Sequence, residues 1–319
     1  MLASPTPSTP AADDPRAFRG ALALIAADIK IAHSIFALPF AVLAAFLVGP
    51  SHGDGASAWR LFAGKLALVV VCMVLARTWA MLVNRLADRE IDARNRRTSR
   101  RVFASGALSP GLGWAFAAVC AGLFIAAASL FLILYANPWP LYLSVPVLLW
   151  IAFYSFTKRF TALCHLYLGG ALAASPIAAA IAVNPYALAD TTSVFFLSGF
   201  VLLWVAGFDI IYALQDLDFD QEAGLSSIPA RLGTRGAIRA SRLLHFGAFV
   251  VLLLAWRVDA RLNLLFGVGI AVVGGLLMLE HVIVARRGKA GLEMAFFTVN
   301  GVVSCVLGVL GCADLFLGA

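Results

Sequence analysis

Apolar runs close to the thickness of a lipid bilayer recur along this chain from one end to the other. That pattern leaves few folds open, because a helix needs roughly 20 predominantly apolar residues to cross the hydrocarbon layer. We read nine such runs: Ile31–Val48, Leu66–Val83, Leu112–Tyr135, Leu141–Phe156, Leu163–Val183, Val194–Leu214, Leu243–Trp256, Leu262–Ala285 and Leu292–Leu310. The seventh is the weakest; its apolar core is short, and its helix can reach back to Gly236. With 62% of its residues hydrophobic and only 13% charged, the chain is too apolar for a soluble globule. Lipid permits only helices or closed barrels, so spans this close together predict one helical domain, an all-α polytopic membrane protein.

The first residues differ. Ser, Thr, Pro and Asp dominate Met1 to Asp14, a composition that cannot bury a core. No basic segment leads into a short apolar stretch with a small-residue cleavage site. Residues 1–20 are therefore expected as a disordered cytoplasmic tail and 21–319 as the membrane domain. The net charge of +7 is no sign of nucleic-acid binding, because the basic residues follow the spans. The loop after the second span carries Arg85, Arg89, Arg94, Arg96, Arg97, Arg100 and Arg101. Later even-numbered loops carry Lys158 and Arg159, then Arg231, Arg235, Arg239 and Arg242, then Arg286, Arg287 and Lys289. The alternate loops hold little beyond Arg60, Arg257 and Arg261. The positive-inside rule then puts the even-numbered loops and the N-terminus in the cytoplasm and the C-terminus outside. The five cysteines lie scattered without metal-ligand spacing and read as small apolar fillers.

Two acidic runs interrupt this pattern, Asn84-Arg85-Leu86-Ala87-Asp88-Arg89-Glu90-Ile91-Asp92 and Tyr212-Ala213-Leu214-Gln215-Asp216-Leu217-Asp218-Phe219-Asp220. Each sets carboxylates four residues apart with a polar residue four upstream, which on a helix stacks three side chains on one face. The bland account is a charged helix end, with Arg85 and Arg89 neutralising Asp88, Asp92 and Glu90. Two such runs, after the second and the sixth spans, look instead like an internal duplication presenting facing carboxylate ladders. Hard oxygen ligands of that kind suit Mg²⁺, which binds through a few carboxylates plus substrate phosphates. Nearby Arg and Lys would help neutralise a diphosphate. Asp209 lies inside the sixth span, one turn before Tyr212, and an acid at that depth is a candidate functional residue by default. Asp218 points away from the stripe that Asp209, Tyr212, Asp216 and Asp220 share. His52, His245 and His281 are read as forming no cluster, and Glu280 and Glu293 as partners of the last basic loop.

These residues carry a resemblance. Asn84-x3-Asp88-x3-Asp92 and Asp216-x3-Asp220 resemble the paired NxxxDxxxD and DxxxD signatures of the UbiA family of intramembrane aromatic prenyltransferases. Asn95-Arg96-Arg97-Thr98 resembles the family's N-P-R-T segment, with Arg96 where Pro is usual, while Arg100-Arg101-Val102 departs from R-P-L. Tyr154-Ser155-Phe156-Thr157-Lys158-Arg159-Phe160-Thr161 resembles the Y-x-x-x-K-R-x-T segment. The stretches Ile29–Phe40, Gly207–Tyr212 and Ser227–Arg231 resemble the 4-hydroxybenzoate polyprenyltransferase-like subgroup. The likeness runs from about Ile29 to the C-terminus.

The resemblance implies nine transmembrane helices around a central cavity, capped on the cytoplasmic side by the motif-bearing loops. It implies transfer of a polyprenyl group from its diphosphate to a ring carbon of an aromatic acceptor, in ubiquinone or menaquinone biosynthesis at a bacterial inner membrane. Asn84, Asp88, Asp92, Asp216 and Asp220 would hold Mg²⁺ against the diphosphate, with Lys158, Arg159, Tyr154, Arg97 and Tyr212 as its contacts. Asp209 is a candidate base for the ring proton, with released diphosphate as the alternative. Lys30 is a candidate partner for the acceptor's carboxylate, against the plainer role of a lysine snorkelling to the interface. His33 either lines the aromatic pocket or is a satisfied core histidine. The acceptor is expected to be 4-hydroxybenzoate, with 1,4-dihydroxy-6-naphthoate as the alternative. A secondary transporter is the reading from another class, disfavoured because the carboxylates cluster at one membrane face.

Overall fold

A computed structural model describes residues 15–29, 36–51 and 53–317 of the chain. The described residues form α1 (Pro15–Ile29), α2 (Leu38–Leu47), α3 (Ala56–Ala87), α4 (Arg89–Arg94), α5 (Pro110–Tyr135), α6 (Trp139–Thr157), α7 (Cys164–Val183) and the short α8 (Ala187–Asp190). Next comes α9 (Thr192–Ala213), which passes through a 3₁₀ turn (Leu214–Asp216) into α10 (Leu217–Glu222), followed by α11 (Ile228–Val258) and α12 (Leu264–Arg287). A 3₁₀ turn (Gly288–Gly291), α13 (Leu292–Met294) and a π turn (Ala295–Val299) then lead into α14 (Asn300–Leu317). No strand occurs among them.

Eight helical stretches among the described residues are long and apolar enough to cross a membrane, where nine were predicted. The difference lies in the first span, Ile31–Val48. It contains the ten-residue α2, and residues 30–35 ahead of it lie outside the described residues. Helix α1 begins at Pro15, inside the segment 1–20 read as a tail. Proline suits the first turn of a helix, and Ile25 and Ile29, one turn apart, are buried. Residues 1–14 lie outside the described residues. The weak seventh span reaches back to Ile228, broken at Gly233, whose φ of 63° glycine adopts without steric cost.

Helix α9 is the axis of the bundle, packed between α7 and α11, while α3 lies against α5 and α12 against α14. The short α2 is wedged between α7 and α14. Phe40, Phe200, Trp204, Phe208 and Phe266 are buried around that axis, and Phe200 stacks on Trp204 one turn away at 5.7 Å. Between helices in lipid, attraction comes from close packing and small residues permit it. A Cβ on Gly169 of α7 would strike the Leu202 carbonyl of α9, so these helices touch through backbone.

Polar side chains tie the helix ends. At one end Ser227 caps α11, accepting the Ala230 N–H at 3.1 Å behind Pro229. At the other, the Asp314 carboxylate of α14 accepts the N–H groups of Asn263, Leu265 and Phe266 at 2.8, 3.2 and 2.7 Å and so caps α12. Asp259 accepts from Ser193 at 2.6 Å and from the Arg261 fork at 2.8 and 2.9 Å, and Arg261 also donates to the Leu47 carbonyl. Burial works against the Asp259 charge, but these bonds overcome it and hold the carboxyl below its ordinary value. A carboxyl depressed on folding adds stability that is fully present above its unfolded pKa of about 3.9 and lost as pH falls through the folded value. Asp259→Asn is therefore expected to lower Tm in detergent at neutral pH and to show no deficit once the pH is well below that value. A deficit that persists unchanged in acid would refute this account.

Candidate functional site

Two helix breaks build the site. Helix α3 ends at Ala87 and α4 begins at Arg89, so Asp88 occupies a corner, with Asn84 one turn before it and Asp92 one turn after. Helix α9 gives way to the 3₁₀ turn and α10, so Asp216 and Asp220 straddle a second corner. The sequence predicts each ladder on one straight helix, and the structure breaks both. On a straight helix two carboxylates a turn apart would repel along a single face. The corners aim Asn84, Asp88, Asp92 and Asp216 into one cavity of about 250 Å³ instead. Asp220 is wholly buried and is not among the lining residues.

Each acid meets a cation from another part of the chain. Asp88 accepts from Asn84 Nδ2 at 3.0 Å and Arg159 Nη2 at 3.2 Å. Both Asp92 oxygens accept from Arg101 Nη1 at 2.8 Å. Arg97 grips both Asp216 oxygens, its Nε at 2.9 Å, and Asn95 Nδ2 adds a bond of 2.9 Å. Lys158 Nζ lies 2.7 Å from Asp220 Oδ1, and Ser227 Oγ donates to Oδ2 at 3.1 Å. Arg97, from the loop behind the first acidic run, thus clasps the second run across the cavity mouth. The bland account, in which Arg85 and Arg89 neutralise the first run, holds for one pair only: Arg89 meets Glu90 at 3.1 Å, whereas Arg85 pairs with Asp28 of α1 at 3.1 Å. Sequence neighbours lose here because the break at Asp88 turns the acids inward while Arg89 stays outside. Asp218 is exposed and pairs with Lys289 at 2.9 Å. Burial raises the Asp88 carboxyl above the ordinary carboxylate range, and the Arg159 bond offsets part of this.

Among the described residues no three acidic, His or Cys groups stand close enough to enclose a metal ion, and three of the carboxylates are instead paired with arginines. The donor chemistry nevertheless fits Mg²⁺: carboxylates and one amide oxygen, with no thiolate among them. Mg²⁺ commonly binds through one or two carboxylates and completes its shell with water and phosphate, so it needs no protein cage.

Deeper in the cavity, Asp209 Oδ2 lies 2.7 Å from His165 Nδ1. His165 Nε2 accepts the Ile228 N–H at 3.3 Å, so the ring carries its proton on Nδ1 and donates it to Asp209. Tyr154, Lys158, Arg159, Arg97 and Tyr212 also line the cavity, with the Arg97 guanidinium 5.8 Å above the Tyr212 ring. Phe36, Phe208 and Phe296 form its aromatic wall. Lys30, His33 and His52 lie outside the described residues.

Sequence reasoning missed Arg77. It lies in α3, two turns before Asn84, and lines the cavity with an Nε that is shut off from solvent and has no partner. The signal is present as a lone arginine inside the second apolar run. The reading of Glu280 as a partner of the last basic loop is also corrected; the Glu293 side chain lies outside the described residues. His245 Nδ1 lies 3.1 Å from His281 Nε2 across α11 and α12, and Glu280 is wholly buried beside them, bonded to Asn300. Residues 36 positions apart meet only because those two helices pack.

A bundle of helices long and apolar enough to cross a membrane, enclosing a charged mouth over an aromatic wall, defines an intramembrane enzyme. The chain belongs to the UbiA prenyltransferase family, whose model matches residues 37–302. It is 30% identical over 260 residues to 4-hydroxybenzoate octaprenyltransferase of Saccharophagus degradans, across 81% of this chain and 82% of that protein. The apo structure of a UbiA homologue from Aeropyrum pernix K1 is similar at TM-score 0.76 and 31% identity, over 90% of this chain and 98% of that one. A UbiA homologue from Archaeoglobus fulgidus bound to GPP and Mg²⁺ shares the fold at TM-score 0.62 and 18% identity, over 92% and 99% of the two chains. Family membership replaces the transporter alternative.

Proposed function

We propose that this protein transfers a polyprenyl group from polyprenyl diphosphate to a ring carbon of 4-hydroxybenzoate, in an Mg²⁺-dependent reaction on the path to a quinone. One observation carries the reading: carboxylate–cation pairs ring the mouth of a cavity whose depth holds an aromatic wall and the partnerless Arg77. Asn84, Asp88, Asp92 and Asp216 line the cavity and are the residues that would hold Mg²⁺, while Asp220, expected in that set, lies buried behind the wall and holds Lys158. Bound there, Mg²⁺ offsets the charge that builds on the departing diphosphate. Arg97, Lys158 and Arg159 each stand in an ion pair with one of these acids. Freed from those pairs, the same three side chains would turn to phosphate oxygens, with Tyr154 beside them.

The allylic C–O bond breaks with its electron pair on the diphosphate. Phe36, Phe208, Tyr212 and Phe296 keep water from the allylic fragment until a ring carbon of the phenol supplies the pair for the new C–C bond. The ring proton then leaves to Asp209, whose carboxylate His165 orients, or to the released diphosphate. Arg77 matches the acceptor's carboxylate, which gives its guanidinium the anion it lacks; Lys30 is the other candidate for that contact. The basic loops support an orientation with the cavity mouth and the N-terminus in the cytoplasm of a bacterial inner membrane.

Membranes containing the chain are expected to move label from a polyprenyl diphosphate onto 4-hydroxybenzoate with Mg²⁺ and not with EDTA. Absence of transfer to 4-hydroxybenzoate, with transfer to 1,4-dihydroxy-6-naphthoate in the parallel assay, would reassign the acceptor. Absence of both would end the reading.

A further inference from the structure

The one π turn among the described helices, Ala295–Val299, lies beside the cavity. Wide turns of this kind need support because they depart from ordinary helical bonding. Asn300, the next residue, is wholly buried and spends its whole amide here. Its Oδ1 accepts the Trp204 Nε1–H at 2.7 Å, and its Nδ2 donates to the Ala295 carbonyl at 3.0 Å and to Glu280 Oε1 at 3.3 Å. The orientation is forced: indole is only a donor, so the atom facing it is oxygen, and the amino group faces the carbonyl that opens the turn. Trp204 and Glu280 are themselves fully buried, on α9 and α12. Three helices therefore converge on one amide, and that amide braces the turn.

The turn carries Phe296. Its ring stacks on Tyr212 at 4.0 Å, and Phe208, Phe36 and Phe297 stand at steep angles around it at 5.2, 5.6 and 4.8 Å. Tyr212 lies one turn before Asp216 and beneath Arg97, so this stacked pair is the aromatic surface next to the charged mouth. An aromatic face beside a developing cation stabilises it, and a wall without gaps keeps water away.

We propose that Asn300 is a positioning residue. Through the π turn it seats Phe296 against Tyr212, and this pair decides whether the allylic fragment is captured by the aromatic ring or by water. The inference rests on the prenyl-transfer reading above. In both outcomes the allylic C–O bond breaks with its pair on the diphosphate. Capture by the ring forms a C–C bond and releases a ring proton; capture by water forms a prenyl alcohol and releases a proton.

The test measures transferred product against prenyl alcohol for the full chain in membranes, with farnesyl diphosphate, 4-hydroxybenzoate and Mg²⁺. Asn300→Leu and Phe296→Leu are each expected to raise the alcohol fraction roughly fivefold, the scale of losing one aromatic face beside a cation. The double variant is expected to match either single change, because both act through one ring. Loss of folded protein alone would reduce product and alcohol together and leave their ratio unchanged. If Asn300→Leu does not accumulate, Phe296→Leu, which leaves the Asn300 bonds intact, still decides. An unchanged ratio in a folded Phe296→Leu protein, or additive effects in the double variant, overturns the proposal. Wild type that transfers nothing overturns the transfer reading, and with it this proposal.

Discussion

Asp88→Ala and Asp216→Ala are each expected to lower Mg²⁺-dependent transfer by about two to three orders of magnitude, the loss typical when one preorganised group at a developing charge is removed. The two acids sit at equivalent corners, Asp88 between α3 and α4 and Asp216 between α9 and α10, and both face the same cavity. Their partners make the prediction specific. Removing Asp216 frees Arg97, and removing Asp88 leaves Arg159 held by the Ala87 carbonyl without its carboxylate, so each variant gains an unpaired cation at the mouth. Binding of the diphosphate is thus expected to survive in part while turnover collapses, and raised Mg²⁺ is expected to recover Asp88→Ala incompletely. Initial rates across Mg²⁺ concentrations check this. Wild-type rates in both variants would remove these acids from the reaction.

Arg77→Leu is expected to raise KM for 4-hydroxybenzoate by about 10²-fold, the scale of stripping one partner from a desolvated ion pair, and to leave KM for the diphosphate substrate unchanged. Arg77→Lys is expected to fall between, because lysine keeps the charge but loses the planar fork that matches a carboxylate. The stability effect has the opposite sign to the kinetic one. Arg77 Nε is closed off and unbonded, so leucine removes a polar group that nothing in the fold satisfies, and Tm is expected to hold or rise. A protein held below its most stable sequence by a functional residue behaves in this way. Assays with the methyl ester of the acceptor separate charge recognition from packing: the ester should be a poor substrate for wild type and no worse for Arg77→Leu. Equal KM increases for acid and ester would assign Arg77 a packing role.

Much of the fold was legible because a bilayer imposes one rule on every segment. Long apolar runs, with Arg and Lys in alternate loops, locate five of the nine predicted spans to within a few residues, as comparison of Leu112–Tyr135 with Pro110–Tyr135 or Leu163–Val183 with Cys164–Val183 illustrates. The seventh span extends well beyond its apolar run because the first half of its helix is studded with arginines, which no lipid-spanning pattern contains. The acids and bases of the mouth were legible as types and spacing. Their partners were not, since Arg97 and Asp216 are 119 residues apart and nothing local to either records the other. The roles of Arg77 and Asn300 are illegible in the sequence for related reasons. A single polar residue in an apolar run shows its meaning only once its surroundings are known.

By itself, then, the sequence determined that this chain crosses a membrane many times, that two acidic runs recur at equivalent helix ends, and that the runs belong with nearby arginines and lysines. These properties are local, set by the cost of unpaired polar groups in lipid and by side-chain period along a helix. Tertiary structure decided which cation meets which acid, sent Asp220 behind the wall while Asp88, Asp92 and Asp216 face the cavity, and converged three helices on Asn300. Packing brings distant residues within hydrogen-bond reach, and at 3 Å range the chemistry of the site depends on such contacts.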